Sequence, residues 1–374
     1  MVVAALWSLI LLLDLLMRFD RARLKLLVFM LTATGLYAMH WMFFNRQTHY
    51  TVFCDTVYTF CNLAVFPLYY TYVNHLTDST SRHRRGWILV LPAVVMATLV
   101  GVTYGLMQRD EIQQFAEGFL YNFSLANDFT GITRWQALLH VAVKVIFALE
   151  ALAVGVASFI KVHRYRHWVR SYYSNVEGKL LEPLHIIAVA VMVTVVASFV
   201  VNVLGRTYFT HSSAMLAVPS ILFSALIFLI GYGGERMEFS MADAESSHDD
   251  IDIGDTDSND EPLLDAATLH DLHERLEEIM TTEELFAQSN LRINDVAARL
   301  HTNRHYVYTM LKHELGLTFA DYINNHRVAA AVEMMRANPG KRLNEVAQAV
   351  GFASDTSFYR HFKRVMGCSP SHFK

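Results

Sequence analysis

Asp355, Thr356, Tyr359, Arg360 and Lys363 recur at helical spacing, and Phe358 and Phe362 occupy the opposite face of the same helix. Such a helix buries its rings and turns donors, acceptors and cations outward, which suits the edges and phosphates of a nucleic acid. A second group that could do chemistry, His140, Lys144 and Glu150, lies far upstream inside a long apolar stretch. A charge at the middle of a membrane span costs about 2.5–3.5 kcal/mol on insertion scales, so each of these needs a partner or water. Lys144 and Glu150 read as the deepest. Six residues apart, they point to different sides of a helix, whereas His140 and Lys144, four apart, share a face. Asp14, His40 and Asp55 are further ionisable groups in apolar surroundings. The upstream set reads as a polar ligand pocket or proton-linked site, or equally as structural glue between helices, and the spacing does not choose.

The elements that must position these residues differ sharply along the chain. Its 374 residues are 53% hydrophobic and only 18% charged, a balance foreign to soluble proteins. The excess apolar content lies in about the first 235 residues. Seven stretches approach the roughly 20 apolar residues that a bilayer span requires: 2–17, 24–44, 52–73, 87–107, 135–160, 184–204 and 213–232. The loops after the first, third and fifth carry twelve Lys and Arg, from Arg18 to Lys179; the opposite loops carry four, Arg46, Arg109, Arg134 and Arg206. Basic residues are retained on the cytoplasmic side. The alternation predicts an external N-terminus and a cytoplasmic C-terminal part. A soluble all-helical core would need seven helices apolar on every face, which bury only in lipid or in very large proteins. The longest external loop, 108–134, is rich in aromatics and is expected to fold over the bundle mouth.

Gly231, Gly233 and Gly234 are read as ending the seventh span. The stretch 240–262 then carries nine acids and no Lys or Arg, a composition expected to stay disordered. The three cysteines, Cys54, Cys61 and Cys368, have no disulfide or metal-site spacing and read as neutral residues.

Beyond this joint the chain repeats itself. "NDVAARLHTNRHYVYTMLK" from Asn294 pairs with "NEVAQAVGFASDTSFYRHFK" from Asn344, so that Val296 matches Val346, Ala297 matches Ala347, and Lys312 matches Lys363. Each copy reads as helix–turn–helix. Asn294 and Asn344 are expected to cap the first helices, the two Ala to admit a close helix crossing, and Ser354 to cap the later second helix. Gly351 supplies a left-handed turn, a position that His301 fills in the first copy. From Asn290 onward twelve Lys and Arg face six Asp and Glu, a surplus of the kind a phosphate backbone attracts. His301-x₃-His305 has no third ligand, so no metal site is predicted.

Val346-Ala347, Gly351-Phe352, Ser354, Phe358, Arg360, Phe362-Lys363, Gly367 and the closing "SPSHFK" resemble the AraC/XylS-type transcription regulators. The likeness covers about the last 110 residues and none of the apolar region. It implies DNA-facing positions at His305, Tyr308 and Thr309 in the first motif, and at Asp355, Thr356, Tyr359 and Arg360 in the second. Arg304, Lys312 and Lys363 then suit phosphates. The full expectation is an all-α protein: a seven-helix transmembrane sensor bundle (1–235), a disordered acidic linker (236–262), and a cytoplasmic helical domain (263–374). The two helix–turn–helix motifs fall at about 294–315 and 344–366. Expected partners are double-stranded DNA, membrane lipid and an unknown small-molecule or peptide signal, with a homodimer as an open option. The expected location is the inner membrane, multi-pass. No catalytic residue or cofactor is expected, since HExxH, nucleophile-elbow and Walker motifs are missing. The alternative is a membrane enzyme or transporter with an appended autoregulatory DNA-binding domain.

Overall fold

The structure is a computed structural model and describes residues 1–45, 48–77, 83–122, 124–177, 179, 182–204, 213–235 and 266–373. The acidic segment 236–262 lies outside the described residues. Those that are described form helices, turns and one isolated antiparallel bridge between Tyr173 and Arg292, with no strand among them, so the all-α class holds. The chain divides into two compact units: Met1–His163 with Leu181–Ile251, and Arg164–Leu180 with Asp252–Lys374.

The first unit contains α1 (Val2–Met17), α2 (Arg21–Phe44), α3 (Thr51–Thr77), α4 (Leu91–Leu106), α5 (Arg109–Phe115), most of α6 (Gly131–Tyr172), α7 (Glu182–Leu204) and α8 (Ser213–Glu235). α3 packs between α2 and α4, while α1 packs on α2 and α8. Among the described residues four helices are long and apolar enough to cross a membrane, those at Arg21–Phe44, Thr51–Thr77, Ile88–Leu106 and Gly131–Tyr172, against the seven spans expected; Val2–Met17 and Ser220–Glu235 are shorter apolar helices. Their outward faces are apolar as well: Leu6 is 53% exposed, Leu106 70%, Leu149 65% and Ile221 69%. Water does not ordinarily solvate an apolar surface of this extent on a folded protein.

Gly231 and Gly234 fall in the last five residues of α8 and also admit close approach. A Cβ on Gly231 would come within 2.4–2.6 Å of the Trp7 indole, and one on Gly234 within 2.4 Å of Leu26. α6 also runs twelve residues past the predicted end of its span, since "KVHRYRHWVRSY" holds no Gly or Pro to break the helix after its apolar content falls. Its 42 residues reach about 63 Å, twice a hydrocarbon core of about 30 Å.

The loop before α6 is a packed element. α5 continues as a π-turn over Ala116–Tyr121, and Phe115, Phe119, Leu120 and Phe129 join Val100, Tyr104 and Ala137 in one cluster. The Phe115 and Phe119 rings stack at 5.3 Å.

The second unit holds α9 (Ala266–Thr282), α10 (Ile293–Arg299), α11 (Arg304–Met310), α12 (Phe319–Ala337), α13 (Leu343–Ala349), α14 (Asp355–Met366) and α15 (Pro370–Phe373). α12, about 28 Å long by its 19 residues, carries one motif at each end. Val328, Ala331, Val332 and Met335 on α12 meet Val346, Ala347, Val350, Phe352, Phe358 and Phe362 in a continuous core.

Candidate nucleic-acid interface and buried polar cluster

Each motif starts with an acid folded back on the chain. Asp295 accepts the Arg292 backbone N–H at 2.8 Å, and Glu345 accepts that of Arg342 at 3.4 Å. The helices therefore begin at Ile293 and Leu343, one residue before the two asparagines. Asn294 and Asn344 are not the caps expected of them, because the acids at the third helical position supply the acceptor instead. Ala297 and Ala347 are buried at the helix crossings.

The turns that follow are left-handed, with φ 51° at His301 and 93° at Gly351. A Cβ on Gly351 would also meet the Ala287 carbonyl oxygen at 2.5 Å. The second helices then start on side-chain caps. Ser354 Oγ accepts the Ser357 N–H at 3.2 Å, and Asn303 Oδ1 accepts the His305 N–H at 3.1 Å. Sequence reasoning missed Asn303, although an Asn directly before the helical run is itself a cap signal.

α14 buries Phe358 and Phe362 completely and leaves Asp355, Thr356, Tyr359, Arg360 and Lys363 exposed together. The Tyr359 hydroxyl pairs with Ser371 Oγ at 2.9 Å. α11 differs. Lys312 is exposed in the π-turn that follows it, with its ammonium 5.5 Å from the Tyr308 ring centroid, but Arg304, His305, Tyr308 and Thr309 are only half-exposed.

One reason is a segment that the motif analysis did not connect to this domain, the end of α6 and the turn after it. The Asn294 amide donates to the Tyr172 hydroxyl at 2.9 Å, and the Arg304 guanidinium lies within hydrogen-bonding reach of the same oxygen. Tyr173 bridges to Arg292, whose guanidinium stands 5.6 Å from the Tyr173 ring centroid. The Ser174 N–H donates to the Leu291 carbonyl at 3.1 Å. Glu177 accepts a hydrogen bond from the Ser354 hydroxyl, the cap of α14. A segment of six residues thus touches the start of both second helices.

Arg327 ties this segment to the core. It is 1% exposed. Its guanidinium donates to the carbonyls of Phe286 and Gln288 at 2.7 Å, and to Asn324 Oδ1 and Ser174 Oγ at 3.2 Å. Burial pushes its pKa down to about 10, so it stays charged at neutral pH and needs these acceptors. His361, on the buried side of α14, is pushed down to about 4, first by burial and then by Arg364 and Arg360.

In the first unit, the structure brings His140 and Lys144 to one cavity and leaves Glu150 out of it. Lys144 is exposed and Glu150 is half-buried. The buried pair is Asp55 with His140, joined Oδ2 to Nε2 at 2.6 Å, and Tyr104 donates to the same carboxylate oxygen at 2.8 Å. His140 Nδ1 lies 2.8 Å from the Gln136 carbonyl. A carbonyl only accepts, so Nδ1 carries a hydrogen, and the Asp55–His140 bond holds one further proton. Asp55 stood out in sequence only as one ionisable residue among several, because its partners lie 49 and 85 residues away.

The architecture of the C-terminal region, two helix–turn–helix units sharing a linking helix, defines an AraC-type DNA-binding domain. Residues 296–374 match the family described as "Helix-turn-helix domain". Over 86 residues, 23% of this chain, the sequence is 33% identical to the Msm operon regulatory protein of Streptococcus mutans, covering 31% of that protein. It is 26% identical over 86 residues to the transcriptional regulatory protein HptR of Staphylococcus aureus, covering 33% of it, and 26% identical over 87 residues to the HTH-type transcriptional regulator YtdP of Bacillus subtilis, covering 11%. The chain thus spans a third or less of these relatives. No solved structure matches the chain.

Proposed function

We propose that this chain is a membrane-anchored transcriptional regulator that binds double-stranded DNA through both helix–turn–helix motifs and couples that binding to a signal received in the apolar unit. α14 reads bases through Asp355, Thr356, Tyr359 and Arg360, with Arg360 pairing to guanine, and Lys363 holds a phosphate. α11 reads through His305, Tyr308 and Thr309, with Arg304 and Lys312 on the backbone. Lipid solvates the exposed leucines, isoleucines and valines of α1–α8, and the basic flanks hold the reader on the cytoplasmic side. His140 and Lys144 belong to the sensing site; Glu150 serves packing.

One observation carries the coupling. α6 is an unbroken helix whose apolar part ends in a basic tip, and that tip with its following turn contacts the starts of both reading helices. Phosphates need the same helix N-termini. A shift of α6 therefore exposes or covers the DNA face, and the acidic joint need not transmit force. Occupancy of genomic sites by the full-length protein tests the reading. We expect discrete sites, lost on Arg360→Ala, with the protein in the membrane fraction. A protein that occupies no DNA, or that is fully extracted by salt without detergent, overturns it.

A further inference from the structure

We propose that the cavity of the apolar unit binds an uncharged amphipath, a mostly hydrocarbon molecule carrying neutral hydrogen-bonding groups of the amide or hydroxyl kind. The proposal rests on the sensing role proposed above and names the ligand class for it.

The cavity holds about 460 Å³, within the range of small-molecule sites. It runs inside the bundle, lined from α2, α3, α6, α7 and α8. Phe29, Leu36, Phe66, Phe147, Ile227 and Ile230 give it an apolar wall, so the body of an occupant is hydrocarbon.

Three uncharged polar side chains interrupt that wall, each from a different helix. They are the Tyr37 phenol on α2, the Asn62 carboxamide on α3 and the Ser224 hydroxyl on α8. All three residues are half-buried, and their side-chain polar atoms have no hydrogen-bond partner among the described residues. They keep accessible surface, unlike the Thr59 and Tyr69 hydroxyls, which are sealed in the packing. Asn62 and Ser224 each stand eleven residues, about 16 Å, from the start of their helix; Tyr37 stands seven residues, about 10 Å, from the end of α2. At such depths in a hydrocarbon core of about 30 Å, lipid supplies no hydrogen bonds, and an unpaired amide or hydroxyl is costly. A lipid tail in the cavity leaves all three groups unpaired. An occupant with its own neutral donors and acceptors pairs them.

Charge separates a neutral occupant from an ionic one. His40, Asp55, His140 and Lys144 also line the cavity, and each already interacts with another group of the protein. None of them stands as a vacant counter-charge, and an ion taken into apolar surroundings without one is strongly disfavoured.

The test is binding of radiolabelled dodecanamide to the full-length protein in phosphatidylcholine nanodiscs, corrected for uptake by empty discs. Binding should saturate. Unlabelled dodecane, dodecanoate and dodecyltrimethylammonium should each compete at least about ten-fold more weakly than unlabelled dodecanamide. Tyr37→Phe, Asn62→Leu and Ser224→Ala should each lose roughly three- to ten-fold in dodecanamide affinity and leave competition by dodecane level. If dioleoylglycerol in the disc displaces dodecanamide, the site takes a bilayer lipid; if it does not, a dissolved amphipath. No saturable binding, equal competition by dodecane or by either ion, or unchanged dodecanamide affinity in all three variants overturns the proposal. DNA affinity measured on the same discs keeps the readings apart. A protein that binds dodecanamide but no duplex keeps this site and loses the regulator role, and the reverse result does the opposite.

Discussion

The hydroxyl of Ser354, which caps the second reading helix, donates to the carboxylate of Glu177, a residue in the turn after α6 and 177 positions earlier in the chain. The carboxylate thus stands near the positive end of the α14 dipole, the place that the proposed function gives to a DNA phosphate.

Glu177→Gln should therefore tighten duplex binding by the full-length protein. Loss of a charge at a helix end is worth about 1 kcal/mol, or roughly five-fold in affinity. Fluorescence anisotropy with a labelled duplex measures it. Affinity equal to that of the unaltered protein would remove Glu177 as a competitor of DNA.

Arg360 and Lys363 should separate into two kinds of contact. Arg360→Ala should cost about 1–3 kcal/mol on the preferred site and relax the sequence requirement at one base pair. Lys363→Ala should weaken binding evenly across sequences and lower the salt slope by about one. Binding titrations at several salt concentrations on matched and mismatched duplexes distinguish them. Identical profiles for the two variants would refute the division.

The paired turns make opposite predictions about stability. Gly351→Ala places a Cβ against the Ala287 carbonyl and forces a left-handed conformation on an L-residue, a cost of at least about 1–2 kcal/mol. His301→Gly relieves the same conformation in the first motif and should stabilise by roughly 0.5 kcal/mol after the entropy of glycine is counted. Hydrogen exchange of α10 and α13 amides reads both effects, and a destabilised His301→Gly would contradict the argument.

Acid should loosen α14. His361 is held neutral, down to about 4, by burial and by Arg364 and Arg360, with Asp321 opposing and Arg327 adding to the effect. An unfolded histidine takes its proton near 6.5, so between those values only the unfolded chain binds it. Stability is complete above about pH 6.5 and falls as pH drops towards 4, by at most roughly 1.4 kcal/mol per unit. Exchange rates of α14 amides should rise through this window in the unaltered protein and stay level in His361→Gln. A flat profile in both would show that the group does not control this helix.

Much of the DNA-reading domain was legible in sequence because its determinants are local. The spacing of Phe358 and Phe362 orients α14 by itself, and Gly351 and Ser354 act within a few residues of where they stand. The start of each motif was misread by one position. Asn294 and Asn344 are good caps in isolation, but Asp295 and Glu345 reach back from the third helical position to the N–H groups of Arg292 and Arg342 and so start each helix one residue earlier. That Gly231 also admits the Trp7 indole is visible only once the partner helix is present.

Hydrophobic run length, helical period, the duplicated motif and the basic surplus are properties of neighbouring residues, so the amino-acid order alone determined the all-α class and the exposed face of α14. The half-covered face of α11, the Glu177–Ser354 bond, the buried Arg327 and the Asp55–His140 pair unite residues tens to more than a hundred positions apart. No periodicity carries that information, because such contacts exist only after burial brings the groups together and low-polarity surroundings make each unpaired charge or hydroxyl costly. Tertiary structure decided them.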